Sequence, residues 1–386
     1  MRVLCAPDSF KESMSSRVAA QAMAAGVRRV LPDAECDLAP MADGGEGTTD
    51  VVMEALGGDI VPVRCHDALG REIAGTYGWV AERRLAVIDV AAAIGLEHIN
   101  PALRDVGLAS SFGAGELIAD ALGRGAKRII IGLGGSATND AGAGLWSALG
   151  VRFLDAAGSE LPRGGVRLGQ LASVDLSDIH PRVSRCRFEV ACDVDNPLLG
   201  PDGASAVFGP QKGAGQVMVT LLDGALRRWA DVVEPATGRA VRDVPGAGAA
   251  GGIGASLIAF ADATLRRGAE TVADLLDMSN RVASADLVLT GEGAIDGQTH
   301  RGKAPWGVAE VALRHGRPVI MFGGSVSPEA RSLVDRGVAG LVPIVRSVGD
   351  LADALAGGPE NLAAAVETSL RLVLVGRRAA RTAGDP

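Results

Sequence analysis

The chain has 386 residues, of which 47% are hydrophobic and 22% charged, and its formal net charge is −8. This composition is typical of a folded globular protein and argues against an intrinsically disordered chain. Aromatic residues make up only 3% of the chain, and the basic residues form scattered doublets, which argues against nucleic-acid binding.

The cysteines and the apolar segments indicate the cellular environment. The 5 cysteines are scattered and form no C-x-x-C pair, a pattern that favours reduced thiols in a core. No apolar run approaches the roughly 18 residues of a membrane span, and no signal-peptide core is visible. We therefore expect a cytoplasmic protein that does not bind membranes.

The first residues alternate between strand and helix patterns. An apolar strand at 2–6 precedes an amphipathic helix at 13–31, which Pro32 ends. A second strand at 36–39 and a helix at 48–56 follow. This order favours a parallel sheet.

The middle of the chain has a different pattern. Segments 72–80 and 84–90 predict an antiparallel hairpin, which seldom continues a doubly wound sheet. We take the hairpin as the entry to a mixed α/β domain. Its further predicted strands are 128–133 and 188–192, and its predicted helices are 140–149, 213–233 and 255–266.

Alternation of strands and helices resumes near residue 285. The predicted strands are 286–290, 318–322 and 340–344, and the predicted helices are 304–314, 328–336 and 362–375. Residues 1–70 alone give too few strands for a domain, so we predict that they fold with 284–386 as one Rossmann-like domain. The predicted fold class is therefore α/β, a Rossmann-like parallel-sheet domain plus an inserted mixed α/β domain at 71–283. We expect the active site in the cleft between them.

Two loops after the first two strands combine polar, charged and glycine residues. The carboxyl end of a parallel strand, next to a helix N-terminus, commonly binds anions. Lys11 adds a positive charge there, and Asp43 can accept a proton or ligate a metal ion; capped helix starts and tight turns are the alternative. We assign Lys11 and Asp43 to catalysis, and to substrate binding we assign Asp8, Ser9, Gly44, Gly45 and Glu46.

The segment 132–140, GLGGSATND, follows a predicted strand and opens a helix. Backbone N–H groups of such a glycine-rich turn form an anion-binding nest, to which hydroxyl groups add donors. A glycine turn with a capped helix is the alternative. The candidate phosphate-binding residues are Gly132, Gly134, Gly135, Ser136, Thr138 and Asn139.

Asp193 comes directly after the predicted strand 188–192. A carboxylate at a strand end can serve as a general base or a metal ligand. An Asx turn before Pro197 explains the residue equally well.

Two further glycine patterns are weaker. Segment 297–303 fits G-x-x-x-x-G-K, but Ala304 stands where a P-loop has serine or threonine, so only Lys303 is kept as a candidate. Segment 246–251 fits G-x-G-x-x-G without a clear strand before it, which is weak evidence for dinucleotide binding. Glycine nests, lysines and acids, without zinc ligands or a Cys–His pair, favour phosphoryl transfer.

Six ordered segments resemble those of the bacterial class I glycerate kinases. They are 6–11 (APDSFK), 40–48 (PMADGGEGT), 132–140 (GLGGSATND), 191–198 (ACDVDNPL), 246–252 (GAGAAGG) and 289–296 (LTGEGAID). The resemblance implies an ATP- and Mg²⁺-dependent kinase that phosphorylates D-glycerate, usually to 2-phosphoglycerate. It also implies a Rossmann-like domain paired with a mixed α/β domain.

Within that resemblance, residue chemistry suggests roles. The 132–138 loop is expected to bind the nucleotide, and Asp43 and Asp193 are alternative bases. Lys11 or Lys303 would neutralise the transferred phosphoryl group or the glycerate carboxylate. The candidate metal ligands are Asp193, Glu292 and Asp296.

Other functions remain open at this point. A different hydroxy-acid or sugar kinase is one, because the glycine loop also resembles that of GHMP-type kinases. A non-catalytic sensor of phosphorylated metabolites is a second, and an NAD-dependent dehydrogenase using segment 246–251 is a third. The sequence leaves a homodimer open and does not choose between the 2- and 3-phosphorylated products.

Overall fold

The computed structural model describes residues 1–43, 47–347 and 349–383. Its strands are β1 Arg2–Cys5, β2 Glu35–Leu38, β3 Asp59–His66, β4 Glu72–Val80, β5 Leu85–Asp89, β6 Arg128–Gly132, β7 Arg152–Leu154, β8 Ser173–Asp175, β9 Arg187–Ala191, β10 Thr264–Arg266, β11 Leu287–Ile295, β12 Val319–Val326 and β13 Gly340–Pro343. Its helices are α1 Ser16–Val30, α2 Thr48–Leu56, α3 Ala91–Ile94, α4 Phe112–Gly123, α5 Ala143–Ala148, α6 Ala204–Phe208, α7 Gln216–Thr237, α8 Ala249–Ala261, α9 Gly268–Leu275, α10 Met278–Ala283, α11 Ala304–Arg314, α12 Arg331–Asp335, α13 Leu351–Ala356 and α14 Gly358–Ala383. None of the helices within these ranges combines the length and apolar character that a membrane crossing needs.

The chain divides into two compact units. Unit 1 comprises Met1–Asp43 and Ala269–Pro386, and unit 2 comprises Gly44–Gly268. The sequence prediction placed the two boundaries later, after residues 70 and 283. The first boundary lies earlier because β3, which the sequence patterns did not reveal, pairs antiparallel with β4 and so belongs with the hairpin.

Unit 1 is built on a five-stranded sheet in the order β13-β12-β11-β1-β2. All of its neighbouring strands are parallel. Consecutive residues of β1 are buried, Val3, Leu4 and Cys5 among them. Burial on both faces explains why β1 is a continuous apolar run and not an alternating one.

Unit 2 contains a six-stranded mixed sheet in the order β10-β9-β6-β5-β4-β3. In this sheet β3, β4 and β5 pair antiparallel with one another, whereas β5, β6, β9 and β10 pair in parallel. The predicted hairpin is therefore confirmed as β4 and β5. The α/β fold class, with one parallel and one mixed sheet, is confirmed as well. The core of this unit includes Trp146 and Trp229, whose rings lie 5.0 and 6.2 Å from that of Phe260.

Helices α1 and α14 of unit 1 touch backbone to backbone. The helix α1 begins after Ser15, whose hydroxyl accepts a hydrogen bond from the Val18 N–H at 3.3 Å. A Cβ added to Gly26 would overlap the carbonyl oxygen of Ala363 and lie 2.8 Å from Val366 Cβ. Only glycine lets the two helices approach this closely.

This contact predicts an inverted glycine effect. At an exposed helix position, replacing glycine by alanine raises the free energy of unfolding by about 1 kcal/mol. We expect this increase for Gly224→Ala in α7, where an added Cβ meets no atom within 4 Å. Gly26→Ala should instead destabilise by about 1–3 kcal/mol, because overpacking separates the helices. Urea denaturation followed by circular dichroism measures both changes. Equal stabilisation by the two substitutions would contradict the close helix contact.

Candidate active site

In unit 1, the loops after β1 and β2 run side by side. The Met41 N–H donates to the Pro7 carbonyl at 2.8 Å, and the Asp8 N–H donates to the Gly291 carbonyl of β11 at 2.8 Å. The parallel sheet therefore gathers Asp8 and Asp43 at one edge. Asp8 is half-buried, and its Oδ1 accepts the Ser9 N–H at 2.6 Å. The other predicted substrate-binding residues of this region, Gly44, Gly45 and Glu46, lie outside the described residues.

The Asp8 carboxyl has an unusual protonation equilibrium. Burial raises its pKa to about 7, and the negative charges of Asp43 and Glu292 add to the rise. The Ser9 N–H and the Lys11 ammonium oppose it. Asp43 and Lys11 are themselves exposed. Near neutral pH, Asp8 is therefore poised between its charged and neutral forms.

Lys303 lies between two of the predicted metal ligands. Its Nζ is 3.4 Å from Glu292 Oε1 and 3.6 Å from Asp296 Oδ2. The Thr299 hydroxyl also donates to Glu292 Oε1, at 3.1 Å. Burial raises the pKa of Glu292, whereas the neighbouring Lys303 lowers it.

The strand that carries Glu292 is longer than predicted. The sequence ended it at 290, but β11 continues to Ile295, so Glu292 lies within the strand. A Cβ on Gly291 would overlap the Phe322 carbonyl of β12. These strands pair so closely because glycine occupies this position, although glycines usually indicate a strand end in sequence.

In unit 2, the glycine loop follows β6 as predicted. Gly132 ends the strand, Gly134 and Gly135 are exposed, and Ser136 is buried. Gly135 adopts a φ of +70°, a conformation that favours glycine. The exposed glycine backbone therefore leads into a buried polar interior.

That interior holds polar atoms without partners. Thr138 and Asn139 are fully buried. Asn139 Nδ2 donates to Ser205 Oγ at 3.0 Å, but Thr138 Oγ1 and Asn139 Oδ1 have no hydrogen-bond partner in the described structure. Unpaired buried polar atoms are rare and commonly mark a functional site or an unseen ligand.

Asp140 anchors the end of this loop. Its Oδ2 accepts the N–H and the hydroxyl of Ser111 at 2.8 and 2.9 Å, and also the Gly144 N–H at 3.2 Å. Its Oδ1 accepts the Gly142 N–H at 3.1 Å. Burial raises the pKa of this carboxyl, and these donors oppose the rise. Through these hydrogen bonds, Asp140 fixes the end of the loop to the residues around it.

Lys212 is a residue of this loop environment that sequence reasoning missed. Its side chain is buried, and its Nζ donates to Ser136 Oγ at 3.2 Å and to the Thr138 carbonyl at 2.7 Å. Burial lowers the pKa of Lys212 to about 7, and Asp140 opposes the shift. No motif surrounds Lys212, so only the tertiary structure reveals its position.

Asp89 is the second residue that was missed. It ends β5 and pairs in register with Gly132. Its Oδ2 accepts the Thr49 hydroxyl at 2.8 Å, and burial raises its pKa to about 6. An acid after the apolar run of β5 is the same signal that singled out Asp193.

Asp193 lies at the end of β9 and is exposed. Its Oδ1 accepts the N–H of Gly268, where α9 begins, at 3.0 Å. Asp193 belongs to unit 2, whereas Glu292 and Asp296 belong to unit 1. Within the described ranges, no group of three or more acids, histidines or cysteines is arranged to hold a metal ion.

The segment 246–252 packs against the loops that follow β6 and β9 in unit 2. A Cβ on Gly251 would overlap the Thr138 carbonyl, and one on Gly248 would overlap the Pro197 carbonyl. The Gly251 carbonyl also accepts the Ala141 N–H at 3.0 Å. The G-x-G-x-x-G pattern therefore serves here as a tight packing segment between two other loops.

Comparison with known proteins gives consistent matches over the whole chain. A model described as the glycerate kinase family matches residues 3–374. The chain belongs to the glycerate kinase family. The resemblance expected from the six sequence segments, and the expectation of an enzyme, are thereby confirmed.

Individual glycerate kinases agree with the family match. The glycerate kinase of Bacillus subtilis (strain 168) is 45% identical over 382 residues, which cover 99% of both chains. The glycerate 2-kinase of Escherichia coli (strain K12) is 42% identical over 98% of this chain and 99% of its own. The crystal structure of a putative glycerate kinase 2 from Salmonella typhimurium LT2 superposes with a TM-score of 0.90 at 46% identity, covering 98% of this chain and 99% of that chain.

The raised pKa of Asp8 predicts how folding stability changes with pH. The folded-state pKa of about 7 exceeds the ordinary value of 3.8, so the folded state binds the proton more tightly. The contribution of Asp8 to stability is therefore greatest below about pH 4 and is lost as the pH rises to about 7. Asp8→Asn should gain stability relative to the natural chain across this interval, on the order of a few kcal/mol.

Thermal unfolding between about pH 4 and pH 8 measures the difference. The melting temperature of Asp8→Asn minus that of the natural chain should rise with pH and level off above about 7. Asp33→Asn makes the same change at an exposed position after α1 and serves as the matched control. A flat difference for Asp8→Asn would show that its carboxyl is not perturbed.

Proposed function

We propose that this protein transfers the γ-phosphoryl group of ATP to the 2-hydroxyl of D-glycerate. The observation that carries the proposal is the match of nearly the whole chain to glycerate kinases, 99% for the relative from Bacillus subtilis and 98% for the Escherichia coli glycerate 2-kinase. The name of the second relative supports phosphorylation at the 2-position. A cytoplasmic location, where ATP is made and used, belongs to the same proposal.

The loop after β6 is the proposed nucleotide-binding site. Its exposed glycine backbone can donate N–H groups to phosphate oxygens, as in other anion-binding nests. Gly132 carries the loop on the rigid end of β6, and Asp140 fixes its far end. The residues proposed to surround the phosphates are Gly132, Gly134, Gly135, Ser136, Thr138 and Asn139.

Unit 1 supplies the proposed base. The sequence offered Asp43 and Asp193 as alternative bases. We propose Asp8, paired with Asp43, because burial raises the pKa of Asp8 to about 7 and a base works best when its pKa lies near the working pH. Asp8 would accept the proton of the glycerate 2-hydroxyl. That oxygen then bonds to the γ-phosphorus while the bond to the β,γ-bridging oxygen breaks, and ADP leaves.

Positive charge near the reacting groups is proposed for two lysines. Lys11 is exposed beside Asp8, where it can pair with the glycerate carboxylate, and Ser9 can donate a hydrogen bond to the substrate. Lys303 is the second candidate cation, for the transferred phosphoryl group. Its ammonium is held by Glu292 and Asp296 until an anionic ligand competes for it.

Magnesium is part of the proposal as the companion of ATP. The described acids do not form a complete protein site, but Mg²⁺ is commonly held by one or two carboxylates together with substrate phosphates. Glu292 and Asp296 fit that donor chemistry. When bound, the ion would neutralise charge on the phosphate oxygens.

The product assay tests the reaction. Purified protein with D-glycerate, ATP and Mg²⁺ should yield a new phosphomonoester in the ³¹P NMR spectrum. Phosphate on C2 couples to one carbon-bound proton and gives a doublet, whereas phosphate on C3 couples to two and gives a triplet. We expect the doublet. A triplet would contradict the position, and ATP use with glycerol or another hydroxy acid but not glycerate would contradict the substrate.

The pH profile tests the base. If Asp8 is the base, kcat/KM should fall about tenfold per pH unit below about pH 7, and Asp8→Asn should lower kcat about 100-fold or more. Asp43→Asn removes a charge that raises the pKa of Asp8, so it should move this acid limb to lower pH. The matched comparison is Asp193→Asn, which should lose less activity and keep the limb in place. A limb unaffected by Asp43→Asn would rule out the Asp8–Asp43 pair.

A further inference from the structure

The least expected feature of unit 2 is a buried lysine that forms no ion pair with a carboxylate among the described residues. Lys212 is 2% exposed and lies in a short turn, Pro210–Lys212. Its two acceptors are neutral oxygens, the Ser136 hydroxyl and the Thr138 carbonyl. Lysine is almost never fully buried without an opposite charge, because its ammonium loses its hydration.

The charged groups near Lys212 do not balance it. Asp140 acts on it electrostatically, but the hydrogen bonds of Asp140 go to Ser111, Gly142 and Gly144. Arg104, a second cation, donates to the carbonyl of Gln211, the residue before Lys212, at 3.1 Å and so adds positive charge nearby. Among the described residues, no carboxylate forms a direct ion pair with the Lys212 ammonium, whose acceptors are Ser136 and Thr138.

Further donors and acceptors surround the same point. An ammonium has three N–H bonds, and the structure gives two of them acceptors. Thr138 Oγ1 is buried within the same loop and has no partner in the described structure. Gly134 and Gly135, which precede Ser136, are exposed, so the loop is open to solvent at that end. A cation with a spare donor, an unpaired hydroxyl and an open glycine backbone together match an oxyanion.

We propose that Lys212 is a ligand-binding residue, whose ammonium group binds an oxyanion of the molecule held by the loop from Gly132 to Asn139, a role that rests on the proposed function. The oxyanion comes from a nucleotide phosphate or from the glycerate carboxylate. Ser136 and the Thr138 carbonyl hold the ammonium in position, and the incoming negative charge supplies an ionic partner that the described residues do not provide.

A matched pair of lysine variants tests the proposal. Lys212→Met removes the buried cation. Lys127→Met makes the same change at an exposed lysine, which precedes the other end of β6. Calorimetric titration with ADP, and separately with D-glycerate, should show one affinity weakened about 10- to 100-fold by Lys212→Met, as expected for a hydrogen bond to a charged group. Lys127→Met should change neither. Weaker ADP binding identifies the phosphate as the partner, and weaker glycerate binding identifies the carboxylate.

A second measurement uses the natural chain and so does not depend on the folding of Lys212→Met. Burial lowers the pKa of Lys212 to about 7, so at pH 8 the side chain is largely neutral and binds a proton when it pairs with an anion. Titration in buffers of different ionisation enthalpy should therefore show net proton uptake on ligand binding at that pH. The uptake should persist in Asp8→Asn and in Asp89→Asn, which remove two carboxyls whose pKa values burial raises to about 7 and about 6.

Two results would overturn the role of Lys212. One is a folded Lys212→Met protein that binds ADP and glycerate as tightly as the natural chain. The other is the absence of proton uptake at pH 8. Failure of the proposed function is a separate result, because ADP binding can depend on Lys212 even if the natural chain does not phosphorylate glycerate.

Discussion

Close backbone contacts that only glycine permits hold the loops of the candidate site. In unit 2, Gly251 packs on the Thr138 carbonyl and Gly248 on the Pro197 carbonyl, so one segment fixes the loops after β6 and β9. In unit 1, Gly291 packs in the same way on Phe322. A side chain at any of these positions would push a strand or loop away. These three glycines therefore bring backbone close to backbone next to the loops of the candidate site.

Charged groups that are buried or half-buried in the described structure differ in whether an opposite charge pairs with them. Glu189 is fully buried, and Arg128 meets it with two hydrogen bonds of 2.9 and 2.7 Å, so the charge is matched within the fold. Among the described residues, no opposite charge forms an ion pair with Lys212 or Asp8, and burial brings the pKa of each to about 7. Since matching by an arginine was available to the fold, the unmatched groups are better explained by a ligand or a proton that comes and goes.

The sequence predicted elements well where local signals were strong. Helices 48–56 and 304–314 have the predicted bounds, because glycines end the first and Pro305 starts the second. Strand β3 was missed, since an edge strand with Pro62 shows only weak alternation. Asp89 could have been predicted from the sequence, because it follows an apolar run in the same way as Asp193. Lys212 could not, because its partners Ser136 and Thr138 lie 76 and 74 residues away in the chain.

The pKa values of Asp8 and Lys212 depend on different residues, which belong to different units. The charges that act on Asp8 are Asp43, Glu292 and Lys11, all from unit 1, and the charge that acts on Lys212 is Asp140, from unit 2. Each unit therefore brings the pKa of one group to about 7 with its own residues: the proposed proton acceptor Asp8 in unit 1 and the proposed anion-binding Lys212 in unit 2. When the pKa of a group lies close to the ambient pH, small changes in its surroundings alter its charge. Substrate charge can thus change the protonation of either group, and substitutions within one unit should leave the titration of the other group unchanged.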